Sequence, residues 1–148
     1  MKISVVVSHD LSEALERCRN RADGIMHAAL AELGDELVGR AAGLAGSGPY
    51  GRSFDSVSDG DHTVAGSRSP MASIIERGRK PGRRPPAQSI RKRSGGSFAA
   101  AEKAAGRIEK QGTKGRWIVK RARQSMHSDG TFDRVARQAL VDIADLKG

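Results

Sequence analysis

The chain has 148 residues, one cysteine and a formal net charge of +9, with 18 glycines and only 3% aromatic residues. A length in this range is typical of one domain, a single cysteine excludes an intramolecular disulfide, and no apolar run approaches the ~20 residues of a membrane-spanning helix. We therefore expect one intracellular domain with a thin core, whose cationic surface suits acidic protein faces or nucleic acid.

The first third of the chain predicts a short arm and one long helix. Lys2–Val7 is rich in β-branched residues and predicts a strand or tethered arm within residues 1–9. Asp10 and Glu13 have the spacing of a capping box. Apolar residues then recur every three or four positions from Leu11 to Leu44, which predicts an amphipathic helix over residues 10–44, about 50 Å long. Such a helix exceeds the width of a small domain, so it must project from its core or pack against another subunit.

The middle of the chain predicts short strands followed by a loop. Within residues 45–78 we expect strands around Arg52–Ser58 and His62–Gly66, joined by a turn, and then either a strand or a short helix up to Arg77. Residues 79–97 contain three prolines, a Gly-Gly pair and many cations. Because prolines and glycines interrupt regular structure, this segment predicts a mobile basic loop.

The last third, residues 98–148, predicts helices. Phe98–Ile108 is rich in alanine and predicts a short helix, whereas Arg116–Val119 fits a final strand or the start of a helix. A clean apolar face over Phe132–Leu146 predicts the C-terminal helix. Together these segments predict a single α+β domain over residues 1–148. Its long N-terminal helix and C-terminal helix would pack on a small antiparallel sheet, with one long basic loop.

Residues that could carry catalysis are scattered. The four histidines lie far apart in the sequence, and Cys18 has no second thiol with which to bind a metal. The glycine-rich segments match no phosphate-binding loop, and the carboxylates are best explained as solvated helix-surface residues. We therefore expect no enzyme, no metal site and no cofactor.

The strongest chemical signal is a basic tract in the second half of the chain. Its candidate partner- or DNA-contacting residues are Arg77, Arg79, Lys80, Arg83, Arg84, Arg91, Lys92 and Arg93. Such charge suits sequence-independent contact with phosphates, while the scarcity of stacking aromatics disfavours sequence-specific or single-strand recognition. An acidic protein, DNA, and a solvated loop without a partner all stay open at this point.

Four segments in order carry a family resemblance: Gly48–Phe54 after the long helix, His62–Gly66, Met71–Gly78, and Gly115–Ala122 before the last helix. This order resembles the tail-completion or head–tail joining proteins of long-tailed phages, the minor tail component family. Two features depart from the family pattern. Met71 stands where an aromatic residue is usual, and Lys80–Phe98 is longer and more basic than the usual loop.

The resemblance implies a structural virion protein of the phage neck, assembled in the host cytoplasm, that forms a homo-oligomeric, six-fold ring between the capsid connector and the tail tube. The implied partners are the connector or stopper, the tail terminator and the tail tube, with non-specific contact between the basic loop and packaged DNA and no contact with a membrane. In the structural turn, Gly78 would reverse the chain and Glu76 would pair with a basic residue of its own fold or a neighbour; an ordinary turn is the alternative. A tail terminator and a small basic nucleic-acid-binding protein are the alternative functions.

Overall fold

The computed structural model describes residues 9–146, so the predicted arm over Lys2–Val7 lies outside the described residues. The described part mixes helices with two small antiparallel sheets, which confirms the α+β class and the long N-terminal helix. Its elements are α1 (His9–Ala45), a 3-10 turn (Gly51–Ser53), β1 (Phe54–Asp59), β2 (His62–Ser67), α2 (Ala72–Arg77), β3 (Gly78–Arg79), α3 (Ala87–Ser94), α4 (Phe98–Gln111), β4 (Thr113–Lys114), α5 (Ile118–Ser128) and α6 (Thr131–Asp145).

Helix α1 organises the core. The hairpin β1–β2 and the helices α5 and α6 all pack against it, and α6 also packs on α5. At the centre, Ala41 of α1 and Ala122 of α5 are fully buried beside Ile118. Small side chains at these positions let the two helices approach closely. The C-terminal helix therefore joins the core mainly through α1 and α5, while the sheet packs on α1.

The predicted strands form a regular hairpin. Strand β1 pairs with β2 from Phe54 opposite Ser67 to Asp59 opposite His62. The polar turn between the strands is the one that the sequence predicts. The hairpin packs one face against α1. Val57 and Val64 of the hairpin are exposed.

Arg40 connects α1 to the turn between α5 and α6. Its guanidinium donates to Ser125 Oγ at 2.9 Å and to Thr131 Oγ1 at 2.8 Å, and it also contacts the Asp129 carboxylate. Asp129 Oδ1 in turn accepts from the Thr131 N–H at 3.1 Å, which satisfies the first backbone N–H of α6. Hydrogen bonds from the Thr131 hydroxyl and from Arg40 lower the pKa of Asp129 to about 2.

The prediction of a loop throughout residues 79–97 is wrong, because this segment contains α3. Pro86 is the N-cap of this helix, a place where a missing N–H and a fixed φ angle are tolerated. Gly95 ends the helix in the left-handed region, at φ 65°, and its N–H donates to the Arg91 carbonyl. The prolines and glycines that suggested a loop are therefore the start and stop signals of a short helix.

A basic helical hairpin and its junction with the core

Helices α3 and α4 pack against each other as a helical hairpin. We call residues 79–114 the basic hairpin. Its interior is built from alanines, with Ala87 of α3 and Ala101 and Ala105 of α4 buried. Alanine interiors bury little apolar area, so this hairpin is held at its base by backbone hydrogen bonds.

That base is the two-stranded ribbon β3–β4. Gly78 pairs with Lys114 and Arg79 with Thr113. The Gly82 N–H also donates to the Glu109 carbonyl at 2.8 Å, which ties the start of the hairpin to the last turn of α4. The ribbon therefore links the basic hairpin to the core through two chain segments that lie side by side in space.

Gly78, at the start of the ribbon, is required there by both its backbone conformation and the space around it. Its φ angle is +82°, a region that residues with a Cβ rarely adopt. A Cβ at this position would lie 2.1 Å from the Thr113 carbonyl oxygen. The predicted turn at Gly78 is thus the point where the ribbon begins.

The whole net charge of the chain resides in the basic hairpin. Residues 79–114 contain eleven Lys and Arg against two acids, a net charge of +9, whereas the rest of the chain has 15 basic and 15 acidic residues. The core is therefore close to neutral, and the hairpin is a separate cationic element.

Arg84 differs from the other cations of the hairpin. Its guanidinium contacts the Glu102 carboxylate and lies 3.8 Å from that of Glu109. These are the two acids of the hairpin. Arg84 thus ties the segment before α3 to α4, which is a structural role within the hairpin.

The other predicted contact residues lie in a groove at the base of the hairpin, at Arg83 before α3, and at the tip of the hairpin. Arg77, the last residue of α2, lines an open groove of about 400 Å³ together with Arg79 and Lys80. Arg79 is half-buried and donates to the Arg83 carbonyl at 2.6 Å, whereas Lys80 and Arg83 are exposed. The tip of the hairpin, in the last turn of α3, carries the exposed residues Arg91, Lys92 and Arg93.

A second row of cations was not among the predicted contact residues. Lys103, Arg107 and Lys110 are exposed along α4. Their spacing of four and three residues puts them on one face, opposite the face that buries Ala101 and Ala105. This spacing is visible in the sequence and was the signal that could have identified them.

Glu76 joins the base of the hairpin to the core. Its Oε1 accepts from the Tyr50 hydroxyl at 2.6 Å, and its Oε2 accepts from the Val119 N–H at 3.2 Å. Val119 lies in the first turn of α5, where backbone N–H groups lack helical partners and negative charge is favourable. Glu76 therefore caps α5 from another element. Within residues 9–146 the Glu76 carboxylate has no ion pair with a basic residue of its own fold, and pairing with a neighbouring subunit stays a prediction.

The same junction constrains Tyr50 and Trp117. Burial and the hydrogen bond to Glu76 raise the pKa of the Tyr50 hydroxyl well above its ordinary value. Trp117, the N-cap of α5, adopts a left-handed conformation at φ 52° and is 48% exposed. The backbone N–H of Trp117 donates to the Glu76 carbonyl at 3.1 Å, and Lys120 Nζ lies 5.9 Å from the centre of the Trp117 ring. Nothing in the local sequence predicts this conformation.

Within the part of the chain that the structure describes, no group of three or more His, Cys, Asp or Glu side chains is placed to hold a metal ion. Among the same residues, no helix is long and apolar enough to cross a membrane. Comparison of the chain with protein-family models, with curated proteins and with solved structures finds no match.

Proposed function

We propose that this protein is a non-catalytic structural component of the phage neck, which packs with copies of itself into a ring between the capsid connector and the tail tube. The observation that carries the proposal is the uncovered N-terminal half of α1. The order of elements, from the long helix through the strand pair and the Glu76–Gly78 turn to the terminal helix, supports the neck assignment.

Helix α1 is longer than its own core. Its 37 residues span about 55 Å, whereas a compact domain of this size has a radius of gyration of only about 15 Å. Between Ser12 and Gly24 every described side chain except Ala14 and Ala22 is exposed. This half of the helix has little tertiary packing, which is the usual source of helix stability in proteins.

The exposed half nevertheless continues the apolar stripe of the buried half. Leu15 is 60% exposed and Met26 46%, and Cys18 is exposed beside them. A helix face intended for water would carry polar residues at Leu15 and Cys18. The pattern is that of a face covered by another subunit.

A second apolar surface lies farther along the same stripe, beside the core. An open groove of about 540 Å³ between α1, β2 and α5 is lined by Leu30, Leu33, Leu37, Ala65, Met126 and Phe132, among others. The exposed stripe around Leu15 and the groove at Leu30 are about 22 Å apart along α1. A subunit that seats its exposed stripe in the groove of the next makes a head-to-tail contact, and head-to-tail contacts close into rings when the rotation between subunits allows it. The arrangement supports a ring more than a symmetric dimer.

The test is the mass of the purified full chain in solution, measured by sedimentation velocity over a range of concentrations. Leu15→Asp places a charge on the stripe and should abolish assembly. Asn20→Asp, on the opposite face of the same helix, introduces the same charge and should leave assembly unchanged. As an independent readout, the reactivity of Cys18 toward a maleimide should fall when the wild type assembles.

A monomer at every concentration, with Cys18 equally reactive in the presence of the neck and tail-tube proteins of the same phage, would refute the assembly proposal. The location is tested separately by cryo-electron microscopy of particles from the phage or prophage that encodes the chain. Ring density between connector and tail tube is expected there. Absence of the chain from mature particles would overturn the neck assignment.

A further inference from the structure

We propose that the basic hairpin binds the phosphate backbone of duplex nucleic acid without reading its sequence. The ring proposal does not require this partner, so the two proposals can fail separately. The inference rests on how the cations of residues 79–114 are paired, exposed and arranged.

Most cations of the hairpin have no internal counter-charge. Arg84 engages both acids of the segment. Across residues 9–146, none of the other ten Lys and Arg side chains of the hairpin lies within ion-pair distance of a carboxylate. Nine of these ten are exposed, the exception being the half-buried Arg79. Unpaired, solvated cations can release counterions from a polyanion, which is the main source of sequence-independent affinity for nucleic acid.

The cations lie on two packed helices at spacings that suit a duplex. The row Lys103, Arg107 and Lys110 covers about 10 Å along α4, and a duplex carries one phosphate charge per ~1.7 Å of its axis. At the tip, Arg91, Lys92 and Arg93 occupy consecutive positions of the last turn of α3. The two groups therefore present charge along one side and at the end of the same hairpin.

The rest of the hairpin surface favours nucleic acid over a protein partner. Protein interfaces rely on buried aromatic or aliphatic anchors. In residues 79–114, all of which the structure describes, Phe98 is the large apolar side chain that lies exposed. Single-strand binding needs a platform of several stacking aromatics. Dense charge with one exposed aromatic matches backbone contact with a duplex.

The experiment measures binding of the full chain to a fluorescein-labelled duplex of about 30 bp, by anisotropy between about 0.05 and 0.2 M salt. Three cations are replaced at a time. The α4 variant carries Lys103→Gln, Arg107→Gln and Lys110→Gln. We expect its affinity near 0.1 M salt to fall at least about tenfold, and the slope of log K against log[salt] to become shallower by about 3.

The tip variant, with Arg91→Gln, Lys92→Gln and Arg93→Gln, should behave in the same way. The matched control removes three exposed cations outside the hairpin, with Arg52→Gln, Arg121→Gln and Arg137→Gln, and should keep its affinity within about twofold. Arg84 is left unchanged in all variants because it holds α4. Circular dichroism and sedimentation verify that fold and oligomeric state are unaltered.

A charge-preserving variant separates loss of charge from loss of fold. Lys103→Arg, Arg107→Lys and Lys110→Arg together should retain wild-type affinity, and two unrelated duplex sequences should bind equally well. Failure of the wild type to bind the duplex, or equal weakening in the control variant, would overturn the proposal. Equal affinity for poly-glutamate at matched charge would also overturn it, and would assign the hairpin to an acidic protein partner.

Discussion

Replacing Glu76 with alanine tests whether this carboxylate holds the junction between the core and the basic hairpin. The change removes the acceptor of the Tyr50 hydroxyl and the cap of the Val119 N–H. A hydrogen bond to a charged group contributes about 1.5–3 kcal/mol, and a helix cap about 1 kcal/mol. Because Glu76 is only half-buried, we expect the free energy of unfolding to fall by about 2–4 kcal/mol.

The assay is urea denaturation at neutral pH, followed by circular dichroism at a concentration where the chain is monomeric. Tyr50→Phe removes one of the two bonds and should cost about 1.5 kcal/mol. In the double variant the two losses should be less than additive, since both changes break the same bond. Glu16→Ala, at an exposed position of α1, is the matched control and should change stability by no more than about 0.5 kcal/mol.

Two results would contradict this account of the Glu76 junction. One is a Glu76→Ala variant as stable as the Glu16→Ala control. The other is strict additivity of the Tyr50 and Glu76 substitutions, which would mean that the 2.6 Å contact between them carries no free energy.

Three further predictions concern single positions. Gly78→Ala should lower the free energy of unfolding by at least about 2 kcal/mol in the same denaturation assay, because its Cβ would meet the Thr113 carbonyl. Gly39→Ala, in open space on α1, should instead raise the free energy of unfolding by up to about 1 kcal/mol. Equal effects of the two substitutions would contradict the ribbon geometry. Asp129 has a lowered pKa in the fold, so its contribution is present above its ordinary value of 3.8 and is lost as pH falls toward about 2; thermal melts should show a shallower acid limb in Asp129→Asn. The pKa of Tyr50 is raised, so its contribution is present below 10.0 and is lost at higher pH; melts of Tyr50→Phe should lack this alkaline loss, and an unchanged alkaline limb would refute the assignment.

Much of the fold follows from local patterns. The repeat from Leu11 to Leu44 predicts the long helix α1, and the polar turn at Ser58–Asp61 predicts the hairpin β1–β2. Both are encoded by residues close in sequence, so periodicity and turn chemistry suffice. The prediction of a loop over residues 79–97 is wrong because proline and glycine are common in loops and also at the two ends of a short helix, as Pro86 and Gly95 are here.

The candidate site was predicted in part. The composition predicts the basic tract. It does not predict that Arg84 pairs with acids while its neighbours stay exposed, because that depends on where Glu102 and Glu109 lie in the fold. Glu76 was singled out as a turn residue. Its partner Tyr50 is 26 residues away and its capped N–H at Val119 is 43 residues away, and such distances leave no periodic signal.

The sequence by itself determined the long N-terminal helix, the strand pair, the C-terminal helix and the concentration of positive charge in the second half of the chain, because propensity, periodicity and composition are local properties. Only the tertiary structure decided which charges are paired, which half of α1 lacks a covering partner, and how Glu76 holds α5. These are properties of distance and burial in space, and they arise only when segments far apart in the chain are packed together.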